Sequence, residues 1–113
     1  PPSTKTVDFL CFCAIEYDDL QSLEWMVKET GLPLESMKIY GFNLVHACAF
    51  FGRLEIIIWL ASHPSWNSLV EQTSNRKAFE KASAAHIAVT QGHTRAADIL
   101  LELGAPSLDG NNK

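Results

Sequence analysis

Three cysteines and two histidines in matching surroundings are the groups on which chemistry could be built in this chain. Cys11 and Cys13 lie two apart in a helical pattern, so their thiols point to different sides, which is poor geometry for chelating one metal. An odd thiol count without a signal peptide argues for a reducing compartment, and so for an intracellular place, cytoplasmic or nuclear. His46 and His86 recur in equivalent settings. As a metal ligand or a general base, one histidine would suffice; recurrence points instead to a role that each structural unit needs. The acidic pair Asp18-Asp19 is accounted for by a helix start. Metalloprotease, nucleophile-elbow, phosphate-loop and dinucleotide patterns are all missing. No catalytic, cofactor-binding or metal-binding residue is assigned, and the expectation is a protein that is not an enzyme.

The elements that must carry these residues repeat. Residues 43–56, from Asn43 through His46 and Gly52 to Ile56, align with 83–96 at a constant offset of 40. The polar start, the His, the Gly and the small residues fall in register. A fainter copy lies upstream: shifted by 34, Leu10, Ala14, Asp18, Leu20 and Trp25 fall on Leu44, Cys48, Gly52, Leu54 and Trp59. There Phe12 replaces His46 and Asp18 replaces Gly52, as in an atypical terminal repeat. A period of this length marks a stacked helix-turn-helix unit that cannot bury its own apolar face.

Apolar spacing and punctuation predict helix pairs at about 7–17 with 20–30, 44–51 with 54–62, and 84–91 with 94–103. Asp19 caps one helix and Gly31 ends it, while Gly52 and Gly92 split the later pairs. Asn43 and Ser83 stand where a side-chain oxygen can accept from first-turn amides. Three residues on, His46 and His86 can bond to that cap or to backbone in the adjoining connection. Between the second and third units the chain spends extra residues, 65–76. There Trp66, Leu69 and Val70 could share one face of a short helix, either packed over the outer helices or offered to a partner.

These residues resemble the ankyrin repeat, whose pattern T-P-L-H-x-A-A-x-x-G-H-x-E-I-V-x-L-L closes with G-A. His46, Cys48-Ala49, Gly52 and Glu55-Ile56-Ile57 follow it in one unit. His86, Ala88, Gly92-His93, Ile99-Leu100 and Gly104-Ala105 follow it in another. The chain departs from it where Asn43 and Ser83 replace the Thr, where Leu44 and Ala84 replace the Pro, and in an offset longer than the usual repeat of about 33. The resemblance implies an all-α, ankyrin-repeat solenoid of about three helix-turn-helix repeats. It also places Cys48 at a small buried position, where a free thiol acts as a small hydrophobe. The expected organisation is one domain over 1–113, with repeats at about 7–38, 39–78 with the insertion, and 79–108. Pro1 in place of Met suggests a fragment of a larger protein.

A hydrophobic content of 47% and near-zero mean hydropathy suit a soluble folded domain. The longest apolar run, residues 56–61, is far short of the roughly 20 residues of a membrane span. Net charge is −4 with signs interleaved, and nucleic-acid binding normally needs a clustered basic footprint. The nearest candidate, Arg76, Lys77 and Lys81 with Glu80 among them, reads as a solvated loop.

Function is carried over by position. In ankyrin-like stacks the two residues before the Gly, and the hairpin entering each inner helix, line the concave face. Here those are Glu16 and Tyr17, Phe50 and Phe51, Thr90 and Gln91, with Ile39, Tyr40 and Phe42 around Gly41. Tyr17, Tyr40, Phe42, Phe50 and Phe51 would form one apolar surface, and such patches mark interfaces. The expectation is a monomeric, non-catalytic protein-protein interaction module. Its expected partner-binding residues are Tyr17, Tyr40, Phe42, Phe50, Phe51, Thr90 and Gln91, taking a protein partner or a neighbouring domain. No nucleic acid, membrane or small-molecule substrate is expected. The alternatives are a regulatory or targeting domain of a larger enzyme or channel, separable by the full-length sequence, and a structural spacer that captures no partner.

Overall fold

Helix pairs form where the apolar period runs and break where a left-handed residue intervenes. The computed structural model describes residues 4–106. Helix α1 spans Thr4–Glu16 and α2 Leu20–Thr30; α3 spans Leu44–Phe51 and α4 Leu54–Ala61. A short α5, Trp66–Glu71, precedes the third pair, α6 at Ala84–Thr90 and α7 at Thr94–Glu102. The inner helices α1, α3 and α6 pack side by side, each against its outer partner α2, α4 or α7. This is the helical stack that the sequence predicts; the end of the third expected repeat, residues 107 and 108, lies outside the described residues.

The three turns between paired helices share one geometry. Asp18, Gly52 and Gly92 all have positive φ, at 57°, 69° and 81°. In each unit the next residue donates its amide to the fifth residue back: Asp19 to Ala14 at 2.7 Å, Arg53 to Cys48 at 3.0 Å, His93 to Ala88 at 2.8 Å. That bond satisfies a carbonyl orphaned at the end of the inner helix. The match extends the repeat to unit one, where the letters diverge most. Asp18 takes the left-handed region without being glycine, which Asx side chains tolerate best among other residues.

Successive units are then pinned together by polar groups. Asn43 caps α3 by accepting from the His46 amide at 2.9 Å, and Ser83 caps α6 by accepting from the His86 amide at 3.2 Å. Asn43 also donates to the Leu69 carbonyl at 3.0 Å and to Gln72 Oε1 at 2.7 Å, so one cap side chain holds the connection after α5. The insertion is structural. Trp66, Leu69 and Val70 are buried on one face of α5, and the Trp66 indole donates to the Leu103 carbonyl at 2.8 Å, which locks α5 to the end of α7.

Candidate functional site: an aromatic groove along the inner helices

The site begins with a tight hairpin. Ile39 and Phe42 exchange both backbone hydrogen bonds, at 2.9 and 3.0 Å, around Tyr40 and Gly41 with φ of 49° and 84°. Two consecutive positive φ values define the turn whose twist matches a hairpin. Gly41 is required twice over, because a Cβ there would lie 2.3 Å from the Arg76 backbone nitrogen. The connection 72–82 runs alongside: the Asn75 amide donates to the Gly41 carbonyl at 3.0 Å, and Ser74 exchanges backbone bonds with Lys81 and Ala82.

Arg76 fastens this arrangement. Its Nε donates to the Tyr40 carbonyl at 2.9 Å and its Nη2 to the Ile39 carbonyl at 3.2 Å. Its guanidinium carbon lies 3.6 Å from the centroid of the Phe42 ring, within cation–π range. Burial lowers its basicity, though the Tyr40 phenol acts the other way. The reading of Arg76 as a solvated loop residue is therefore corrected: it is a half-buried clamp, while Lys77 and Lys81 beside it are exposed.

On this base the phenylalanines interlock. Phe50 meets Phe51 at 5.0 Å between centroids, Phe42 at 5.8 Å and Phe79 at 5.9 Å, edge-on or tilted, as ring quadrupoles favour. Phe42 is only 2% exposed, so its expected place on the surface is corrected. It lies beneath, sandwiched by Arg76, Phe50 and Phe79, because a guanidinium 34 residues away in sequence covers its ring. Phe50 and Phe51 are half-buried. With Phe9, Phe12, Ile39 and Glu16 they line a groove of about 150 Å³ between α1, α3 and the hairpin.

The other expected surface residues separate. Tyr40, 85% exposed, stands over an adjoining depression that shares Phe9 and Ile39 with the groove and adds Lys5, Asp8 and Lys38. Tyr17 lines a different hollow, with Leu10 and Trp25 on the free side of unit one. Thr90 and Gln91 are exposed at the end of α6, with the Thr90 hydroxyl turned back to the Ile87 carbonyl at 2.8 Å. Sequence reasoning missed Phe9, which is 56% exposed, along with Phe12, Phe79 and Arg76. Phe9 and Phe12 had a signal, since 9, 12, 13 and 16 form one helical stripe. Arg76 and Phe79 had none, because their partners are set by long-range pairing.

The titratable groups are held in fixed, structural states. His46 is buried, with Nδ1 accepting from the Asn43 amide at 3.0 Å and Nε2 facing the Gln72 carbonyl at 3.0 Å. Only the neutral ring with its proton on Nε2 satisfies both. Burial pushes its pKa down to about 4, with Lys38 and Arg76 adding to that, although the bond to Gln72 opposes it. His86 holds the equivalent position, but its side chain is exposed, because no described connection passes over α6 as residues 69–72 pass over α3. Burial raises the Cys11 thiol to about 11, reinforced by Asp8, and raises Cys48 further; neither is a nucleophile near neutrality. Among the described residues no group of three His, Cys, Asp or Glu side chains is placed to hold a metal ion.

No curated protein and no solved structure matches the chain. Residues 11–61 match the family model described as ankyrin repeats (many copies), a span running from within α1 to the end of α4. It therefore takes in unit one from Cys11 onward. Residues 11–61 are thus similar to ankyrin repeats, and the shared turn geometry carries the same unit through α6 and α7, so the helical stack is of the ankyrin-repeat kind.

Proposed function

We propose that the groove between α1, α3 and the hairpin holds an apolar segment of a protein partner, and that the stack acts as a non-catalytic interaction module. Ankyrin repeats are in general protein-interaction modules. The observation that carries the specific reading is the layering of this groove. Phe42 and Arg76 form a buried support, and Phe9, Phe50, Phe51 and Tyr40 stand above it, at least partly open to solvent. Rings fixed by packing lose little side-chain freedom on binding, so their burial by a partner yields affinity efficiently. Among the described residues no helix is long and apolar enough to cross a membrane. A reducing, intracellular setting suits three free cysteines, two of them buried.

Phe9 and Tyr40 give the cleanest test, because both are more than half exposed and their truncation leaves the core intact. The Phe9→Ser/Tyr40→Ser variant should keep the wild-type melting midpoint and lose captured partners in a crosslinking pulldown. Capture unchanged in that variant would place the binding surface elsewhere. Phe50→Ser/Phe51→Ser is less clean, since Phe50 touches Phe42, Phe51 and Phe79 and its removal opens the support as well.

A further inference from the structure

By the offset of 34, residues 5–9 of α1 take the place that residues 39–43, the hairpin and its cap, hold in unit two. Unit one has helix there instead. The first turns of α1 therefore face the hairpin across the depression lined by Lys5, Asp8, Phe9, Lys38, Ile39 and Tyr40, about 390 Å³ in volume. Both of its walls are described residues, and Phe9 and Ile39 lead from it into the aromatic groove. Here the groove gains charge. Lys5 and Lys38 are exposed, and neither ammonium group makes an ion pair or hydrogen bond with a described residue. Half-buried Asp8 accepts from the Lys38 backbone amide at 3.3 Å, so it offsets one of the two charges without being bonded to either. The connection beside the hairpin adds Arg76, Lys77 and Lys81 against Glu80. At the far end Arg53 donates to the Glu16 carbonyl at 2.5 Å, which sets a cation beside that carboxylate. Lys5, Lys38, Arg76, Lys77 and Lys81 are five of the nine basic residues, whereas Asp8, Glu16 and Glu80 are three of the thirteen acidic ones. The walls are thus positive in a chain whose net charge is −4.

We propose that the segment held by the groove is acidic: an extended stretch of a partner protein with one large apolar side chain in the aromatic groove and a carboxylate two or three residues away, against Lys5 and Lys38. This rests on the reading of the groove as an interaction site and names what that site selects. At about 150 Å³ the groove is well below the roughly 300 Å³ at which small-molecule sites begin, and it has room for a single side chain. Spacing follows from α1. Lys5 lies about 6 to 11 Å along the helix from Phe9 and Phe12, the reach of two or three residues of extended chain. Exposed ammonium groups add little affinity of their own but decide which charge is accepted beside the rings.

Random peptides of about twelve residues displayed on phage, selected on the 113-residue chain, test it. Enriched peptides should pair a large apolar residue with Asp or Glu two or three positions away. They should bind roughly ten-fold more weakly to Lys5→Glu/Lys38→Glu, whose melting midpoint should not change because both side chains are exposed. Lys5→Gln/Lys38→Gln, with a smaller loss expected, is the second variant should the reversal unfold the chain. Selection repeated on the reversed variant should keep the apolar residue and exchange the acid for Lys or Arg. Phe9→Ser/Tyr40→Ser should abolish binding of the enriched peptides. Apolar enrichment without an acidic bias, or a bias that survives the reversal, overturns this proposal and leaves the groove reading standing. No enrichment, or enriched peptides that bind Phe9→Ser/Tyr40→Ser unchanged, overturns both. A labelled single-stranded oligonucleotide that binds through Lys5 and Lys38 while no acidic peptide is enriched would assign the lysines to nucleic acid and overturn the proposal as well.

Discussion

Acidification from pH 7 to pH 5 should destabilise this protein through His46. The ring is buried and accepts a hydrogen bond on Nδ1, and its pKa falls from the ordinary 6.5 to about 4 on folding. Because the folded pKa lies below the unfolded one, the unfolded chain binds the proton more readily. The stabilising contribution is then complete above pH 6.5 and is lost progressively as the pH falls towards 4. At about 1.4 kcal/mol per pKa unit the full effect is roughly 3 kcal/mol, and linkage places about 2 kcal/mol of it between pH 7 and 5. That is a large share of the stability of a small domain. Urea unfolding at pH 7, 6 and 5, followed by circular dichroism, measures it. The control is His46→Gln, whose amide oxygen can still accept from the Asn43 amide but does not titrate. The variant should be less stable at pH 7, having lost ring packing, yet its stability should change with pH by about 2 kcal/mol less than that of the wild type. Equal pH dependence in the two proteins would refute the assignment of this loss to the buried ring.

Three further outcomes follow from other parts of the structure. Gly41→Ala should cost at least about 3 kcal/mol in urea unfolding, since it combines a positive φ with a backbone clash against Arg76 that no rotamer relieves. Gly92→Val should cost roughly 1 to 3 kcal/mol, from left-handed strain alone because nothing lies within 4 Å of the added Cβ; an unchanged melting midpoint would show that Gly92 does not serve its turn. In native protein at pH 8 a thiol reagent should modify half-buried Cys13 far faster than buried Cys11 and Cys48, and native mass spectrometry should show no stoichiometric zinc; fast labelling of all three thiols would refute their placement.

Local signals carried the fold because each was complete within a few residues. A cap, an apolar stripe and a left-handed stop fix a helix without reference to the rest of the chain, so the six paired helices, the capping by Asn43 and Ser83, and the buried face of α5 were legible from spacing. The offset of 34 even placed Asp18 on Gly52, and both prove to be left-handed. The candidate surface was read less well, because exposure is decided by what arrives from elsewhere. Phe42 belongs to a hairpin expected at the surface, yet Arg76 and Phe79, across the connection, cover it. His46 and His86 are alike in sequence, but among the described residues a connection crosses only the first, so one is neutral and buried and the other exposed. Tyr17 and Phe51 hold the same position before their turns, but a preceding unit stands beside α3 and none of the described residues stands beside α1 on its free side. Sequence by itself determined which segments are helices and which of their faces are apolar. Tertiary structure alone decided which of those faces meets a neighbour, since burial depends on residues far apart in the chain.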